Sequence, residues 1–154
     1  MLDGANTNSD NTELSGEIFI TNAANTASLI TSVRQEVSIF VSFAMEGLHQ
    51  WKDCPLEEVK YLRDMHRHMF HFEIEKKSIL NDDREIEIIM FKQSVQKYLG
   101  DKYQKNSSVL EFGNMSCEMI AEDIASEFDC SVVKVTEDNE NGAKIYRQRI
   151  NKDW

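Results

Sequence analysis

His66 and His68 stand two residues apart in Met65-His66-Arg67-His68-Met69-Phe70-His71-Phe72-Glu73-Ile74-Glu75, with His49 seventeen residues upstream. In an extended strand, side chains two apart share a face. His66, His68, Phe70, Phe72 and Ile74 then point one way, and Arg67, Met69, His71, Glu73 and Glu75 the other. Two imidazoles beside an apolar run suit a metal ion held against a dry wall. A third imidazole from a neighbouring strand makes a three-histidine site with one tetrahedral position left for water or substrate. His49 closes a strand-like run that begins Val37-Ser38-Ile39-Phe40-Val41-Ser42-Phe43 and is the natural third. Neutral imidazoles suit Zn2+, which polarises a carbonyl or hydroxyl, or draws the pKa of a bound water toward about 7. The plainer alternative is a pair of strand histidines that only hydrogen-bond inside a polar pocket.

The elements that must position these residues follow from the pattern around them. The chain has 154 residues, enough for one domain with its own core. Residues 1–16 are mostly Asn, Thr, Ser and Asp with little to bury, and read as a floppy tail. Residues 17–35 form an N-terminal extension in which Glu17-Ile18-Phe19-Ile20 suits a short strand or ordered arm. The domain proper spans 36–146, and 147–154 is a frayed tail. Within it, Glu36–Met45 is rich in β-branched and aromatic residues and predicts a strand. Pro55 and its neighbours predict a loop with a turn of helix at 56–60, and the histidine strand runs to about Lys76. Arg84-Glu85-Ile86-Glu87-Ile88-Ile89-Met90 alternates like a third, antiparallel strand. Phe91, Val95, Tyr98 and Leu99 have the spacing of an amphipathic helix. Ser116 precedes a second helix as its N-cap, with Met119, Ile120, Ile124 and Phe128 as the buried stripe. Ser131–Thr136 and Ala143–Tyr146 read as the last strands. The order is strand, strand, strand, helix, helix, strand, strand, an α+β class with a mostly antiparallel sheet.

Composition narrows the partners. A formal net charge of −10 argues against nucleic acid, whose phosphates call for Lys/Arg clusters. No run of about 18 apolar residues predicts a membrane helix. The opening Met1–Asn6 has neither the basic region nor the apolar core of a signal peptide. Three cysteines without paired spacing suit a reducing cytoplasm better than a disulfide framework.

Taken together, His49, then His66-Arg67-His68 opening a strand, then Ser116-Cys117-Glu118, then Val133-Lys134-Val135-Thr136-Glu137 resemble the 6-pyruvoyl-tetrahydropterin synthase and 6-carboxytetrahydropterin synthase family. The resemblance covers roughly Glu36 to Tyr146. It implies the tunnelling fold, an antiparallel four-stranded sheet with two helices on one face, assembled into a homo-oligomeric barrel such as a hexamer or dimer of trimers. It also implies zinc on His49, His66 and His68, and a pterin held by Glu118 and Glu137. The implied activity is lyase-type chemistry of tetrahydropterin or queuosine biosynthesis. The chain departs from the pattern where protons move. The family's catalytic cysteine, four residues before the His-x-His, is Leu62 here, and the Asp-His pair between the helices has no counterpart in 100–113 beyond Asp101. Met90 stands where the third strand often ends in aspartate.

On the residues alone, a carboxylate at Glu118 or Glu137 can accept two N–H donors from a 2-amino-4-oxo pyrimidine edge, and a wrong ring leaves it buried and unpaired. Each also has a plain reading, Glu118 as first-turn helix electrostatics and Glu137 as a solvated turn residue. Cys54 and His71 are the remaining candidates for acid–base or nucleophilic work, although strand parity turns His71 away from the metal. Cys117, near a helix N-terminus, is a further thiol whose pKa could fall. The rival to an enzyme is a catalytically silent relative that keeps zinc and glutamates to bind a pterin, deazaguanine or nucleotide-like ligand, or to scaffold an oligomer.

Overall fold

The computed structural model describes residues 36–80 and 82–147. The expected tail at 1–16, the extension at 17–35 with its short strand, and residues 148–154 lie outside the described residues. Five strands form one sheet: β1 (Ser38–His49), β2 (His66–Lys77), β3 (Leu110–Gly113), β4 (Val132–Glu137) and β5 (Asn141–Tyr146). Their spatial order is β3-β1-β2-β4-β5. A 3-10 helix, Glu57–Arg63, lies between β1 and β2, and two α-helices follow, α1 (Ile88–Tyr103) and α2 (Cys117–Phe128).

The expected four-stranded antiparallel sheet with two helices is therefore corrected to a five-stranded mixed sheet with three helices. Pairs β1–β2, β2–β4 and β4–β5 are antiparallel, and β3 joins the outer edge of β1 in parallel. Two local misreadings lie behind the difference. The stretch Arg84–Met90 is no strand: Glu87 turns its carboxylate onto the N–H groups of Ile89 (3.2 Å) and Met90 (2.7 Å) and caps α1. Acceptance of orphan N–H groups by a side chain is what starts a helix, whatever alternation precedes it. The additional strand, β3, has four residues, too few for a period-2 pattern to register.

One face of the sheet carries Val41, Phe70, Phe72, Ile74, Val133 and Val135, and both α-helices pack into the same cluster. In α1 the buried residues are Phe91, Val95, Leu99 and Tyr103, four apart along one stripe. In α2 they are Cys117, Ile120, Ala121, Ile124 and Ala125. Met119, expected in that stripe, is 53% exposed and faces a cavity described below. Phe70 and Phe72 are fully buried, and each contributes about 1.5–3 kcal/mol by leaving water. That burial fixes register: a one-residue slip of β2 would move every inner side chain, the histidines included, to the outer face. The outer face bears Arg67, Met69, Glu73 and a 75% exposed Phe40.

Gly47 shows how tightly the sheet packs beneath the histidines. It lies opposite His68 in the β1–β2 register, and a Cβ there would come within 2.7 Å of the Phe70 ring. Only a residue without a side chain lets Phe70 lie flat on β1.

Candidate metal centre and ligand pocket

His49 ends β1, and His66 begins β2 directly opposite it in the antiparallel register. His68 follows on the same face, so the three imidazoles meet at one end of the sheet. Their ring centroids are 4.5 Å (His49–His66), 5.3 Å (His49–His68) and 5.1 Å (His66–His68) apart. One ligand atom from each lies within 4.8 Å of the others, a spacing that can hold a metal ion.

Hydrogen bonds fix which nitrogen each ring presents. The Nδ1–H of His49 donates to the Met115 carbonyl at 3.1 Å, and that of His66 to the Asp64 carbonyl at 2.8 Å. A carbonyl can only accept, so both Nδ1 atoms carry a proton, and in the neutral ring Nε2 is then the lone-pair atom. His68 Nδ1 donates to the Asp138 carboxylate at 2.6 Å. All three rings thus have the tautomer and the outer support of metal-ligating histidines, with Nε2 free. The Nε2 atoms of His49 and His66 are buried without a hydrogen-bond partner among the described residues. Burial also lowers the pKa of His49 and favours the neutral ring, against the pull of Met115 and Glu137. Unpaired buried nitrogens are costly, and a cation between them removes the cost.

The support comes from tertiary structure. His49 sits at a break in the β1–β3 register, where Gln50 N–H donates to the Gly113 carbonyl at 2.8 Å. Bulges of this kind re-aim side chains at the rims of sites. The parallel pairing with β3 draws the following residues, Asn114–Ser116, across the end of the sheet. Met115 then orients His49, and the Ser116 hydroxyl caps α2 by accepting from Met119 N–H at 3.4 Å. On the other side, Asp138 and Asn139 have φ of 52° and 61°, the paired left-handed residues of a type I′ hairpin turn. The Asp138 carboxylate also accepts from Met69 N–H at 2.9 Å, and its bonds to His68 and Met69 hold its pKa below the ordinary value. A turn residue therefore braces one histidine of the cluster.

A cavity of about 620 Å³ opens beside the histidines, within the range of small-molecule sites. Its wall includes His49, His66, Trp51, Leu62, Glu118 and Glu137. Glu137 approaches His49 Nε2 to 3.2 Å and His68 Nε2 to 3.6 Å. Glu118 lies in the first turn of α2, where its bond with Ser116 and the helix N–H groups keep its pKa low. The Cys117 thiol donates to Glu137 at 3.5 Å, and burial together with that carboxylate pushes its pKa up to about 12. The helix terminus does not make it a thiolate, and Cys117 is a small buried residue, the commoner role of a lone cysteine.

Five sequence-predicted residues thus come together: His49, His66 and His68 as a cluster, and Glu118 and Glu137 on the adjoining wall. The two weaker candidates do not join them. Cys54 is buried with its thiol directed to the Leu56 carbonyl at 3.8 Å, away from the cavity wall. His71 pairs across the sheet with Ala44 and Thr136, on the face opposite the other histidines. Sequence reasoning missed Asp138 and the Met115 carbonyl, the second having no side-chain signal at all. The Asp-Asn pair after Glu137 was the available clue, since these residues favour the left-handed turn that turns the carboxylate inward.

Among the described residues, no helix is long and apolar enough to cross a membrane. No model of a known protein family and no curated protein matches the chain.

Proposed function

We propose that the protein holds a zinc ion on His49, His66 and His68 and acts on a pterin or related purine-derived ring, in the manner of the pterin synthases its sequence resembles. One observation carries the reading. Three Nδ1-anchored imidazoles cluster closely enough to share a metal ion, and two of them, His49 and His66, line a cavity whose wall also bears Glu118 and Glu137. All-nitrogen ligand sets of neutral imidazole suit zinc over the hard cations, which prefer oxygen. When bound, zinc supplies Lewis-acid polarisation of a ligand carbonyl or hydroxyl.

The chain's own residues do the rest. The Glu137 and Glu118 carboxylates offer acceptors to the N–H groups of a 2-amino-4-oxo edge. Trp51, Leu62 and Met119 supply the apolar wall on which a flat ring can lie while water is excluded. In the enzymatic reading the reaction is lyase-type, on the side chain of a dihydropterin.

A second reading has its own support. Leu62 lines the cavity where the family carries its cysteine, and the nearby thiol of Cys117 is held protonated. A neutral thiol and a leucine are poor proton carriers. On this reading the site binds a pterin-like ring without turning it over.

Elemental analysis of the purified chain, followed by titration with pterin and assay with dihydroneopterin triphosphate, tests both. About one zinc per chain with pterin binding and turnover supports the enzyme. Zinc and binding without turnover supports the silent relative. Absence of zinc and of pterin binding refutes both.

A further inference from the structure

We propose that Glu137 is the fourth protein ligand of the metal in the ligand-free protein, so that the resting site is His3Glu and closed. This rests on the metal reading above and not on the identity of the organic ligand.

The argument is one of distances. Two donors that share a tetrahedral zinc at about 2.0–2.2 Å each are separated by about 3.4 Å. Glu137 Oε1 lies 3.2 Å from His49 Nε2, and Oε2 lies 3.6 Å from His68 Nε2. Each is close to such an edge length, so the carboxylate lies within reach of an ion held between these imidazoles, through one oxygen or the other. Hydrogen bonding does not account for the closer approach. His49 is anchored through Nδ1 on the Met115 carbonyl, and its buried Nε2 makes no hydrogen bond despite the nearness of the carboxylate. A cation between the two groups accounts for that approach.

The surroundings hold the carboxylate in that place. Glu137 ends β4, paired with Phe70 of β2 on one side and Asn141 of β5 on the other. Its backbone leads straight into the Asp138 turn that braces His68. The Cys117 thiol donates to Oε1 at 3.5 Å. Gly142 adds to this packing, since a Cβ there would meet the Val135 carbonyl at 2.0 Å, so the β4–β5 hairpin closes tightly beneath the glutamate. Glu118 shares the cavity wall but has no such approach to a histidine nitrogen, which separates the roles of the two carboxylates.

One consequence concerns ligand entry. A carboxylate bound to the metal has no spare oxygen pair for a ring edge, so a ligand that takes Glu137 must draw it off the metal and open a coordination position.

The test uses cobalt(II) as a spectroscopic stand-in in the full chain, with Glu137→Gln, Glu137→Ala and Glu118→Gln variants. Visible absorption reports coordination, chelator competition reports affinity, and thiocyanate titration reports an open position. The expected result is a wild-type spectrum unmoved by thiocyanate. Glu137→Ala should respond to thiocyanate. Glu137→Gln should lose metal to chelator at least about tenfold more readily, the smallest change that removal of even an outer partner brings. Glu118→Gln should match wild type. Should wild type bind cobalt yet respond to thiocyanate as Glu137→Ala does, with equal affinity, the inference fails while the three-histidine site stands. Failure of every form to bind metal overturns the inference together with the metal reading.

Discussion

Replacing Gly47 with alanine should destabilise the protein and loosen the metal site together. The new Cβ would lie 2.7 and 2.9 Å from two atoms of the Phe70 ring and 3.0 Å from the Phe112 ring. Neither ring can simply swing aside. Phe70 is fully buried and packs edge-on against Phe112 at 5.0 Å, and Phe112 in turn meets Tyr103 at 4.9 Å. Overpacking of this kind costs about 1–3 kcal/mol. Alanine returns about 0.5–1 kcal/mol by restricting the unfolded strand backbone. At mid-range a net loss of about 1 kcal/mol follows, read as a fall of about 4–8 °C in Tm for a folded region of this size. The displaced Phe70 ring also touches His49 and His68, at 5.2 and 5.9 Å between centroids, so affinity for the proposed metal should fall in the same variant. Thermal unfolding of the metal-free protein, with a chelator competition beside it, measures both. A double variant, Gly47→Ala with Phe70→Leu, relieves the clash and should cost less than the sum of its parts. A Gly47→Ala protein with unchanged Tm, or strict additivity in the double variant, would refute the packing argument.

Three further outcomes follow from the same geometry. The His66→Ala/His68→Ala variant should retain the fold, since both residues lie at the sheet's end, and should lose the zinc proposed above; elemental analysis and circular dichroism check the two halves. Asp138→Ala removes the acceptor that holds His68 Nδ1 and should weaken metal binding about 10–100-fold, measured by competition with a chromogenic chelator. At the α1–α2 contact, burial alone would raise the pKa of Asp123, but bonds from Lys102 (2.6 Å), Tyr103 (2.7 Å) and Tyr98 (3.0 Å) outweigh it and hold the pKa below its ordinary value. The folded form therefore binds the Asp123 proton less readily than the unfolded form. This stabilisation is full above the ordinary aspartate range of about 4 and is lost as pH falls through the folded value. Chemical unfolding of Asp123→Asn across that range should show a flatter acid limb than wild type, and an identical slope would refute the assignment.

The chain's linear pattern determined the centre of the site and the inner face of the central strands. The two-residue period of a strand puts His66 and His68 on the side of Phe70, Phe72 and Ile74, and burial of those three residues leaves no other choice. Ser116 and the Phe91/Val95/Leu99 spacing likewise located the helices, because capping and a four-residue stripe are local properties. Tertiary structure alone decided the rest. The alternation in Arg84–Met90 was real but had no strand to pair with, and the Glu87 cap won. Strand β3 exists only because the edge of β1 offers unpaired N–H and C=O groups, which a four-residue segment can satisfy in parallel. That pairing places the Met115 carbonyl on His49 and, through the same crossing, Cys117 and Glu118 on the cavity wall. Contacts between residues such as His49 and Met115, or His68 and Asp138, span about 66–70 positions of sequence. Their energies depend on where the backbone brings carbonyls and turns, and no local spacing of residue types encodes that.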